Sequence, residues 1–421
     1  MCIKCGKCIP GCTIHRVNPD EATSPRGFLD ILKAAEEGEI EIDKTFKDTV
    51  ESCFLCNQCV EICPNSLPTD FMIESARAKV AEKYGIAWWK RAFFFMLRHR
   101  WAYDLISKLG FYFQTCGFKI EEEKKSIRSR FSLPLLHKGR LIPAFRKKTF
   151  LRKYPEKIPA KIPKKRVAIF IGCLANYNYT EVGDALIEIL KFLDIDIFIP
   201  KKQNCCGAPA YFTGDFKTTE YLIKKNIEYF ETFIDDVDAI LVPEATCFAM
   251  LKKDYEEYIK YYMPDWLDRH KKIKRKLFAT TEWLYKYTDI KNKIKTKPLH
   301  SVTYHNACHV GKVFGIRKEP RELLKNICEI REMENPDVCC GFGGITIQSE
   351  KFHLAKKEGF IKAEMIKKVD AEFVSAECSA CRMQITEHMD KVGDNKLFRH
   401  PLELIAEAIK EEKMGKIKKG N

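Results

Sequence analysis

The chain has 421 residues, 45% of them hydrophobic, so it is long enough to bury sizeable cores and to form two to four domains. Its 19 cysteines, with no signal peptide ahead of them, indicate a reducing, cytoplasmic compartment rather than a disulfide scaffold. The net charge of +15 is accompanied by no nucleic-acid-binding module, so nucleic acid is not an expected partner.

The first cysteines along the chain have the spacing of cubane iron-sulfur sites. Residues 2–12 read C-x2-C-x2-C-x3-C, and residues 53–63 repeat this spacing with a proline behind the last cysteine. Such a loop curls around one cubane while its fourth cysteine leaves toward a second cluster, so the two ligand sets are expected to cross. One 4Fe-4S cluster is predicted on Cys2, Cys5, Cys8 and Cys63, and its neighbour on Cys53, Cys56, Cys59 and Cys12.

Residues 1–85 are expected to form a small helical domain around these clusters, with helices over residues 28–37 and 69–83. A zinc site is the alternative, but two complete runs offer more thiols than the four ligands that one zinc ion needs. Cys2 lies where a chain end frays, and this position favours a start codon further upstream.

A basic, aromatic segment follows this domain. Residues 86–166 hold 22 basic against 5 acidic residues, which is nearly all of the excess charge, and 11 of the 33 residues 86–118 are aromatic. The longest uncharged apolar run has six residues, far too few to span a bilayer. Three interpretations fit: a helix at an anionic membrane surface, with the rings of Trp88, Trp89 and Phe94 among the headgroups; a helical hairpin packed between two halves of the molecule; and a surface for a partner subunit.

Residues 134–166 are expected to form a solvated connector. Basic residues keep this stretch in water, and five prolines prevent long helices, namely Pro134, Pro143, Pro155, Pro159 and Pro163.

Nine further cysteines form an internal repeat built around a Cys-Cys-Gly (CCG) triplet. The first copy contains Cys173, Cys205, Cys206 and Cys247, and the second contains Cys308, Cys339, Cys340, Cys378 and Cys381. Corresponding cysteines lie 131 to 135 residues apart. Adjacent cysteines suit a cluster with bridged irons better than a single tetrahedral ion, so a further iron-sulfur cluster is predicted in the second copy. The first copy has Met250 in place of the fifth cysteine, and its four thiols fit an iron-sulfur cluster, a zinc ion or no metal.

These cysteines follow short apolar runs that read as strands. Strands are predicted over residues 167–171, 195–199, 239–242, 302–304 and 372–375, and a helix over residues 185–193. The alternation predicts two α/β modules with parallel strands, residues 167–298 and 299–421, related by pseudo-twofold symmetry. The fold class of the whole chain is therefore predicted as α+β.

The remaining candidate residues are histidines and cysteines outside these groups. His305 and His309 flank Cys308 and fit either donors to a cluster or ordinary surface or core histidines. Cys116 and Cys328 belong to no group and are expected to be buried apolar side chains. The sequence HNACH lacks the order that binds haem covalently, and no dinucleotide fingerprint or phosphate loop occurs, so no flavin or nucleotide is expected on this chain.

Along nearly its whole length the chain resembles one family of iron-sulfur subunits. The similarity lies in segments such as CIKCGKCIPGC, ESCFLCNQCVEICP, IGCLANY, CCGAPAYFTGD, YHNACH, CCGFGG and CSACRMQI. They resemble the iron-sulfur subunit of anaerobic glycerol-3-phosphate dehydrogenase, the glycolate oxidase iron-sulfur subunit, and the heterodisulfide reductase subunit that joins a ferredoxin domain to a CCG domain.

The resemblance implies an electron-transfer subunit that is not catalytic alone. It would carry electrons from an FAD-dependent dehydrogenase acting on glycerol-3-phosphate, glycolate or lactate to a quinone or a membrane subunit, in the cytoplasm or on the cytoplasmic face of the inner membrane. The second CCG cluster would be non-cubane. The alternative implied by the heterodisulfide reductases is reduction of a disulfide at that cluster.

Overall fold

The computed structural model describes residues 2–132, 136 and 138–419, with side chains as far as residue 414. Pro134 of the expected connector therefore lies outside the described residues. The described chain forms a helical N-terminal unit, a pair of aromatic helices, a small antiparallel sheet and two α/β units. This arrangement confirms the α+β fold class.

The N-terminal unit, called the cluster domain below, consists of short helices joined by the cysteine loops. Its helices are α1 (Thr13–Val17), α2 (Pro25–Glu36), α3 (Lys44–Glu51), α4 (Gln58–Glu61) and α5 (Thr69–Tyr84). The helix α2 begins where Ser24 accepts a hydrogen bond from the Gly27 N–H at 3.0 Å and Pro25 occupies the first turn. The helices predicted over residues 28–37 and 69–83 are thus present as α2 and α5.

Two helices follow, α6 (Trp88–Arg98) and α7 (Arg100–Gly117), and they pack with one face only. Phe94 is 1% exposed and joins the main core with Leu97, whereas Trp88 is 74% exposed. The prediction that the Phe94 ring enters a membrane surface is therefore wrong, because this ring faces the protein interior. The packed helical pair is present, and the outward face of α7 remains apolar and exposed. Among the described residues no helix is long and apolar enough to cross a membrane.

The expected connector is packed over residues 140–151 but mostly exposed over residues 152–166, so the prediction that it is solvated is wrong only for its first part. An antiparallel sheet of β1 (Phe118–Glu121), β2 (Ser126–Ser129) and β3 (Leu141–Pro143) precedes α8 (Phe150–Lys153) and β4 (Lys157–Ile158). Arg140 is buried and forms an ion pair with Glu387 at 3.0 Å, while Phe150 is fully buried. Arg140 thus pairs with a buried carboxylate instead of remaining in water. The prolines do limit helices here, since α8 has four residues.

The first module is a five-stranded sheet covered by helices. Its elements are β5 (Arg166–Ile169), α9 (Cys173–Tyr177), α10 (Thr180–Phe192), β6 (Asp196–Phe198), α11 (Ala208–Tyr211), α12 (Phe216–Glu231), β7 (Ala239–Val242), α13 (Ala245–Ala249), a π-helix (Met250–Asp254), α14 (Tyr255–Tyr262), α15 (Leu267–Lys274), β8 (Leu277–Ala279), α16 (Thr280–Tyr287) and α17 (Ile290–Lys293). The strand order is β4-β6-β5-β7-β8, with only β4 antiparallel. The strands β5, β6 and β7 lie where the sequence predicts them.

The second module repeats this topology with four parallel strands. Its elements are β9 (His300–Tyr304), α18 (Cys308–Phe314), α19 (Lys318–Leu324), β10 (Cys328–Ile330), α20 (Gly344–Ser349), α21 (Phe352–Lys367), β11 (Phe373–Ser375), α22 (Ser379–Lys391), β12 (Leu397–Arg399) and α23 (Pro401–Lys419). Its strand order, β10-β9-β11-β12, matches β6-β5-β7-β8 of the first module. Parallel strands are thus present in both modules.

The two modules exchange equivalent contacts. The helix α10 packs on α23 while α19 packs on α16, and α13 packs on α18 while α22 packs on α9. In each pair, the second contact joins the repeat counterparts of the two helices in the first contact. A pseudo-twofold axis produces this pattern. At the centre of this interface, Ala245 N–H donates to the Glu377 carbonyl at 2.9 Å and Ser379 N–H donates to Glu244 at 2.8 Å. The interface therefore lies at the loops that carry the cysteines.

Candidate metal centres

The cysteines predicted for the first cubane come together at the molecular surface. Cys2, Cys5, Cys8 and the distant Cys63 line one small cavity, and Cys5 is exposed. Partial burial raises the pKa of Cys8, and the nearby charges of Cys2, Cys5 and Cys63 raise it further. The Lys4 N–H donates to the Cys2 sulfur at 3.4 Å, from a backbone with a positive φ of 54°. The loop thus curls with an N–H group toward sulfur, as cluster-binding loops do.

The second predicted set, Cys12, Cys53, Cys56 and Cys59, lines a cavity deeper in the cluster domain. The Leu55 N–H donates to the Cys53 sulfur at 3.4 Å, and the Thr13 hydroxyl donates to the Cys56 sulfur at 3.3 Å. Burial raises the pKa of Cys12 and of Cys53 to about 12, so both thiols stay protonated near neutrality unless a metal ion stabilises the thiolates. Crossed cysteines, converging donors and burial all fit a cubane here.

Arg77 of α5 positions the loop of this second set. Its guanidinium is buried and donates to the carbonyls of Val50 at 3.0 Å, Cys53 at 2.7 Å and Phe212 at 2.8 Å. The arginine thereby ties the cysteine loop both to α3 and to the first module. Arg77 was not predictable from the sequence, because a single arginine in a helix has no spacing pattern that indicates its partners.

The five cysteines of the second module form one buried group, made of Cys308, Cys339, Cys340, Cys378 and Cys381. The sulfurs of Cys340 and Cys381 lie 3.3 Å apart. Hydrogen bonds from Cys339 and Cys381 hold the pKa of Cys340 well below its usual value. Gly341 has a φ of +86°, and a Cβ there would lie 3.0 Å from the Gly359 nitrogen, so the glycine of the triplet is required for close packing. Its N–H donates to the Cys339 sulfur at 3.4 Å.

The four cysteines of the first module, Cys173, Cys205, Cys206 and Cys247, also lie together. Gly207 N–H donates to the Cys205 sulfur at 3.4 Å, and Asn226 and Tyr255 donate to the carbonyls of Cys205 at 2.9 Å and Cys206 at 2.8 Å. Met250 is fully buried next to this group, in the π-helix. A methionine thus fills the position where the second module has its fifth cysteine.

In both modules the cysteines lie at the N-terminal ends of helices. Cys173 and Cys308 begin α9 and α18, and the Cys378 sulfur caps α22 by accepting the Cys381 N–H at 3.5 Å. The free N–H groups and the helix dipole at such ends favour thiolates. The strand-loop-helix order of the sequence therefore places sulfurs of both modules at helix N-termini, where backbone N–H groups face them.

One cavity of about 380 Å³ connects three of the four centres. Its walls carry Cys56 of the cluster domain and cysteines of both modules, together with apolar side chains such as Phe93, Phe212 and Phe342. Cys56 lies within hydrogen-bonding reach of Cys339, and the Thr246 hydroxyl beside Cys247 lies 3.7 Å from the Cys378 sulfur. The sulfur groups therefore run in the order first cubane, second cubane, second CCG centre and first CCG centre.

Lys312 is a charged residue at the junction of these groups. It lies one turn after Cys308 in α18 and is 7% exposed. Burial disfavours its charged form, but the thiolates of Cys308, Cys56 and Cys339 outweigh burial and raise its pKa. A buried ammonium here offsets the negative charge of thiolate clusters. The i,i+4 spacing from Cys308 is the sequence signal that could have identified it.

The candidate cysteines and histidines outside the four groups differ in their burial. Cys328 is buried in β10, away from the other cysteines, as expected. Cys116 is exposed near the end of α7, so the expectation of burial is wrong for this residue.

His309 lines the shared cavity and stacks on Phe212 with ring centroids 5.6 Å apart, and burial lowers its pKa to about 4. His305 is fully buried behind Cys308.

Comparison with known proteins agrees with this division. Residues 1–67 match the 4Fe-4S dicluster domain, and residues 167–252 and 302–386 each match the cysteine-rich domain designated CCG. The chain is 29% identical over 419 residues to the probable glycolate oxidase iron-sulfur subunit of Bacillus subtilis, covering 97% of this chain and 93% of that protein.

Two archaeal proteins are similar over most of this chain. It is 30% identical over 396 residues to an uncharacterized iron-sulfur protein of Methanococcus maripaludis, covering 93% of this chain and 68% of that protein. It is 29% identical over 400 residues to a subunit of the fumarate reductase (CoM/CoB) of Methanothermobacter marburgensis, with the same shares covered.

Proposed function

Because the chain belongs to the family of iron-sulfur proteins that join a 4Fe-4S dicluster domain to two CCG domains, we propose that it transfers electrons along its four cysteine groups. It is an iron-sulfur electron-transfer subunit of an oxidoreductase. The observation that supports this path is the contact of successive groups, Cys56 with Cys339 and Cys247 beside Cys378. When bound, iron-sulfur clusters supply one-electron redox chemistry.

The cysteines would divide the clusters as the crossed spacing predicts. Two 4Fe-4S clusters would be held by Cys2, Cys5, Cys8 and Cys63 and by Cys53, Cys56, Cys59 and Cys12. The five cysteines of the second module would hold a non-cubane cluster, and the four of the first module a further cluster or a zinc ion. The N–H groups that point at sulfur, the glycine of each triplet and the buried Lys312 support these assignments.

The donor of electrons is proposed to be an FAD-dependent dehydrogenase that docks at the exposed first cubane site. Cys5 is exposed there, so the site is within reach of a partner protein. The substrate of that dehydrogenase would be a small hydroxy compound such as glycolate, lactate or glycerol-3-phosphate. The similarity to a glycolate oxidase iron-sulfur subunit supports this choice.

The acceptor is proposed to be a quinone or a quinone-reducing membrane subunit. The outward face of α7 is apolar and exposed, with Trp101, Leu105, Leu109 and Phe113 at its surface. This face supports peripheral attachment, which we place on the cytoplasmic side of the inner membrane. The first CCG centre lies behind the same helical pair, since Leu97 and Tyr103 line a cavity with Cys173 and Cys205.

A second candidate function is reduction of a disulfide at the CCG centres. The cavity that reaches both CCG groups supports it, as does the similarity to a subunit of fumarate reductase (CoM/CoB). Met250 weighs against it, because the first module lacks the fifth cysteine that its repeat partner has.

Both candidates can be tested with the anaerobically purified chain and its copurifying partners. Iron and sulfide analysis should give more than the roughly eight irons of two cubanes per chain. With a flavoprotein and its hydroxy substrate, Cys339→Ser should stop electron delivery to a quinone while the cubanes still become reduced. The matched control is Cys328→Ser, another buried cysteine outside all groups, which should transfer electrons normally.

Fewer than about eight irons would contradict the assignment of two cubanes. A cluster signal that changes on adding a disulfide would favour the second candidate.

A further inference from the structure

His305 presents an unprotonated nitrogen to the second CCG centre. The residue directly follows β9 and is fully buried. Its Nδ1 lies 3.2 Å from the carbonyl oxygen of Pro336. A carbonyl only accepts hydrogen bonds, so Nδ1 must carry the proton. In the neutral ring this leaves the lone pair on Nε2.

That Nε2 atom makes no hydrogen bond of good geometry among the described residues, and the Cys340 thiol is the polar group within reach of the ring. One ring nitrogen of His305 lies with the sulfurs of Cys340 and Cys381 in a group whose three atoms are all within 4.8 Å of one another. A thiol can donate a hydrogen bond to this lone pair, but once both cysteines lose their protons to a metal ion the nitrogen has no donor left and is satisfied by the metal ion instead. The hydrogen bond from Nδ1 to a backbone carbonyl is also the usual way in which a protein orients a metal-binding histidine.

Lys362 holds the loop that orients this imidazole. Its ammonium donates to the carbonyls of Asn335 at 3.1 Å and Pro336 at 3.3 Å. Pro336 is also the residue whose carbonyl lies against Nδ1 of His305, so the ring is oriented by a fixed loop.

The internal repeat separates this histidine from a merely structural one. His305 precedes Cys308 by three residues, and the residue three before Cys173 in the first module is Phe170. Cys381 follows Cys378 by three residues, and the residue three after Cys247 is Met250. Phe170 and Met250 are both buried and apolar. The two donors that meet in the second module are thus both absent from the first, as expected if they serve one metal.

We propose that Nε2 of His305 is a ligand to an iron of the second CCG centre, beside Cys340 and Cys381. This inference rests on the proposed function, in which the second module holds an iron-sulfur cluster. A neutral imidazole adds no negative charge, and imidazole in place of thiolate raises the reduction potential of an iron-sulfur centre. The second CCG centre should therefore have a higher potential than the same centre with a thiolate at this position.

Selective labelling of histidine with nitrogen-15 and pulsed EPR of the reduced, full-length protein provide the test. The second CCG signal should show the strong coupling of a directly bound nitrogen. His305→Cys should keep the iron content, lose this coupling and lower the potential of the centre. The matched control is His388→Gln. His388 is equally buried, its Nδ1 lies 2.9 Å from the Gln384 carbonyl oxygen, and its Nε2 has no hydrogen-bond partner among the described residues. It packs against Gly359 and Phe360 instead of cysteines. That variant should keep the coupling.

The outcomes separate this inference from the proposed function. More than about eight irons per chain without any nitrogen coupling would overturn the histidine ligand and leave electron transfer standing. Coupling that survives in His305→Cys would also overturn it. About eight irons, with no signal beyond the two cubanes, would overturn both the CCG cluster and its histidine ligand.

Discussion

Gly214 allows a close approach between the cluster domain and the first module. It has a φ of +86°, and a Cβ at this position would lie 2.4 Å from the backbone oxygen of Arg77. Arg77 in turn holds the loop of Cys53. A single hydrogen atom in place of a side chain therefore lets a helix of one domain rest on a turn of another.

Gly214→Ala should destabilise the protein and loosen the second cubane. The left-handed backbone costs about 1 kcal/mol for alanine, and the clash with a backbone oxygen adds roughly 1–3 kcal/mol. Thermal unfolding of the anaerobic protein and the iron retained after gel filtration are the measurements. Gly315→Ala is the matched control, since Gly315 has a φ of +68° with open space around it, and it should show the smaller backbone effect only. Equal effects of the two substitutions would contradict the role of the close approach.

At the scale of elements, His300 fastens β9 to its neighbours in the second module. Nδ1 lies 2.8 Å from the Glu372 carboxylate, which precedes β11, and Nε2 lies 3.2 Å from Glu407 of α23. Burial by itself lowers the pKa of His300, but the hydrogen bonds with Glu372 and Glu407 outweigh it and raise the pKa above 6.5. The protonated ring is thus favoured by the fold.

The stability of the second module should fall as pH rises past neutrality. A histidine whose pKa is higher in the folded than in the unfolded state contributes its full stabilisation below pH 6.5, and this contribution is lost as pH rises through the folded pKa. His300→Asn should therefore be less stable than the wild type at pH 6 and closer to it at pH 9. Urea unfolding at both pH values measures this difference. His353→Asn, at an exposed position of α21, should keep the wild-type profile. An unchanged pH dependence in His300→Asn would refute the assignment.

At the scale of the whole molecule, the apolar face of α7 lies on the side of the first CCG centre. Cys5 of the cluster domain is also exposed, and the shared cavity is lined by residues of both the cluster domain and α6. A donor that docks at Cys5 and a membrane that meets α7 would thus use different residues of the protein. The exposed Lys108 of α7 adds positive charge to this face.

A triple variant with serine at three exposed positions of α7 should detach from vesicles that contain phosphatidylglycerol. Its substitutions are Trp101→Ser, Leu109→Ser and Phe113→Ser. These side chains are 65%, 47% and 63% exposed, so their removal should leave the folded core and the cluster spectra intact. Attachment of the wild type should also weaken with salt, because exposed charges are screened within about 10 Å at 0.1 M. Sedimentation with vesicles measures both effects.

Phe94→Ala is the contrasting variant for this experiment. Its ring is in the core, so we expect a loss of about 3–5 kcal/mol in stability without any specific loss of vesicle binding by the folded fraction. If the triple variant stays folded and still binds membranes of its host, a partner subunit is the anchor.

Much of the local architecture was predictable from the sequence. Cysteines separated by two or three intervening residues can bind one cluster only if the loop curls around it. The spacing C-x2-C-x2-C-x3-C therefore predicts both the loop and the fourth cysteine that binds the other cluster. The offset of 131 to 135 residues between the CCG copies likewise predicted a repeat, and the alternation of strands and helices predicted parallel α/β modules. These patterns depend on covalent reach and on short-range periodicity, which a sequence displays directly.

The tertiary structure alone decided which groups adjoin. The contact of Cys56 with Cys339 joins residues 283 positions apart, and the burial of Arg140 depends on Glu387, which is 247 positions away. The same applies to α6, whose composition is aromatic on all sides, so that only the packing partners determine that Phe94 points inward and Trp88 outward. Spacing along the chain determined the metal-binding loops of this protein, whereas the packing of its domains decided their order, because contacts between distant segments leave no periodic trace in a single sequence.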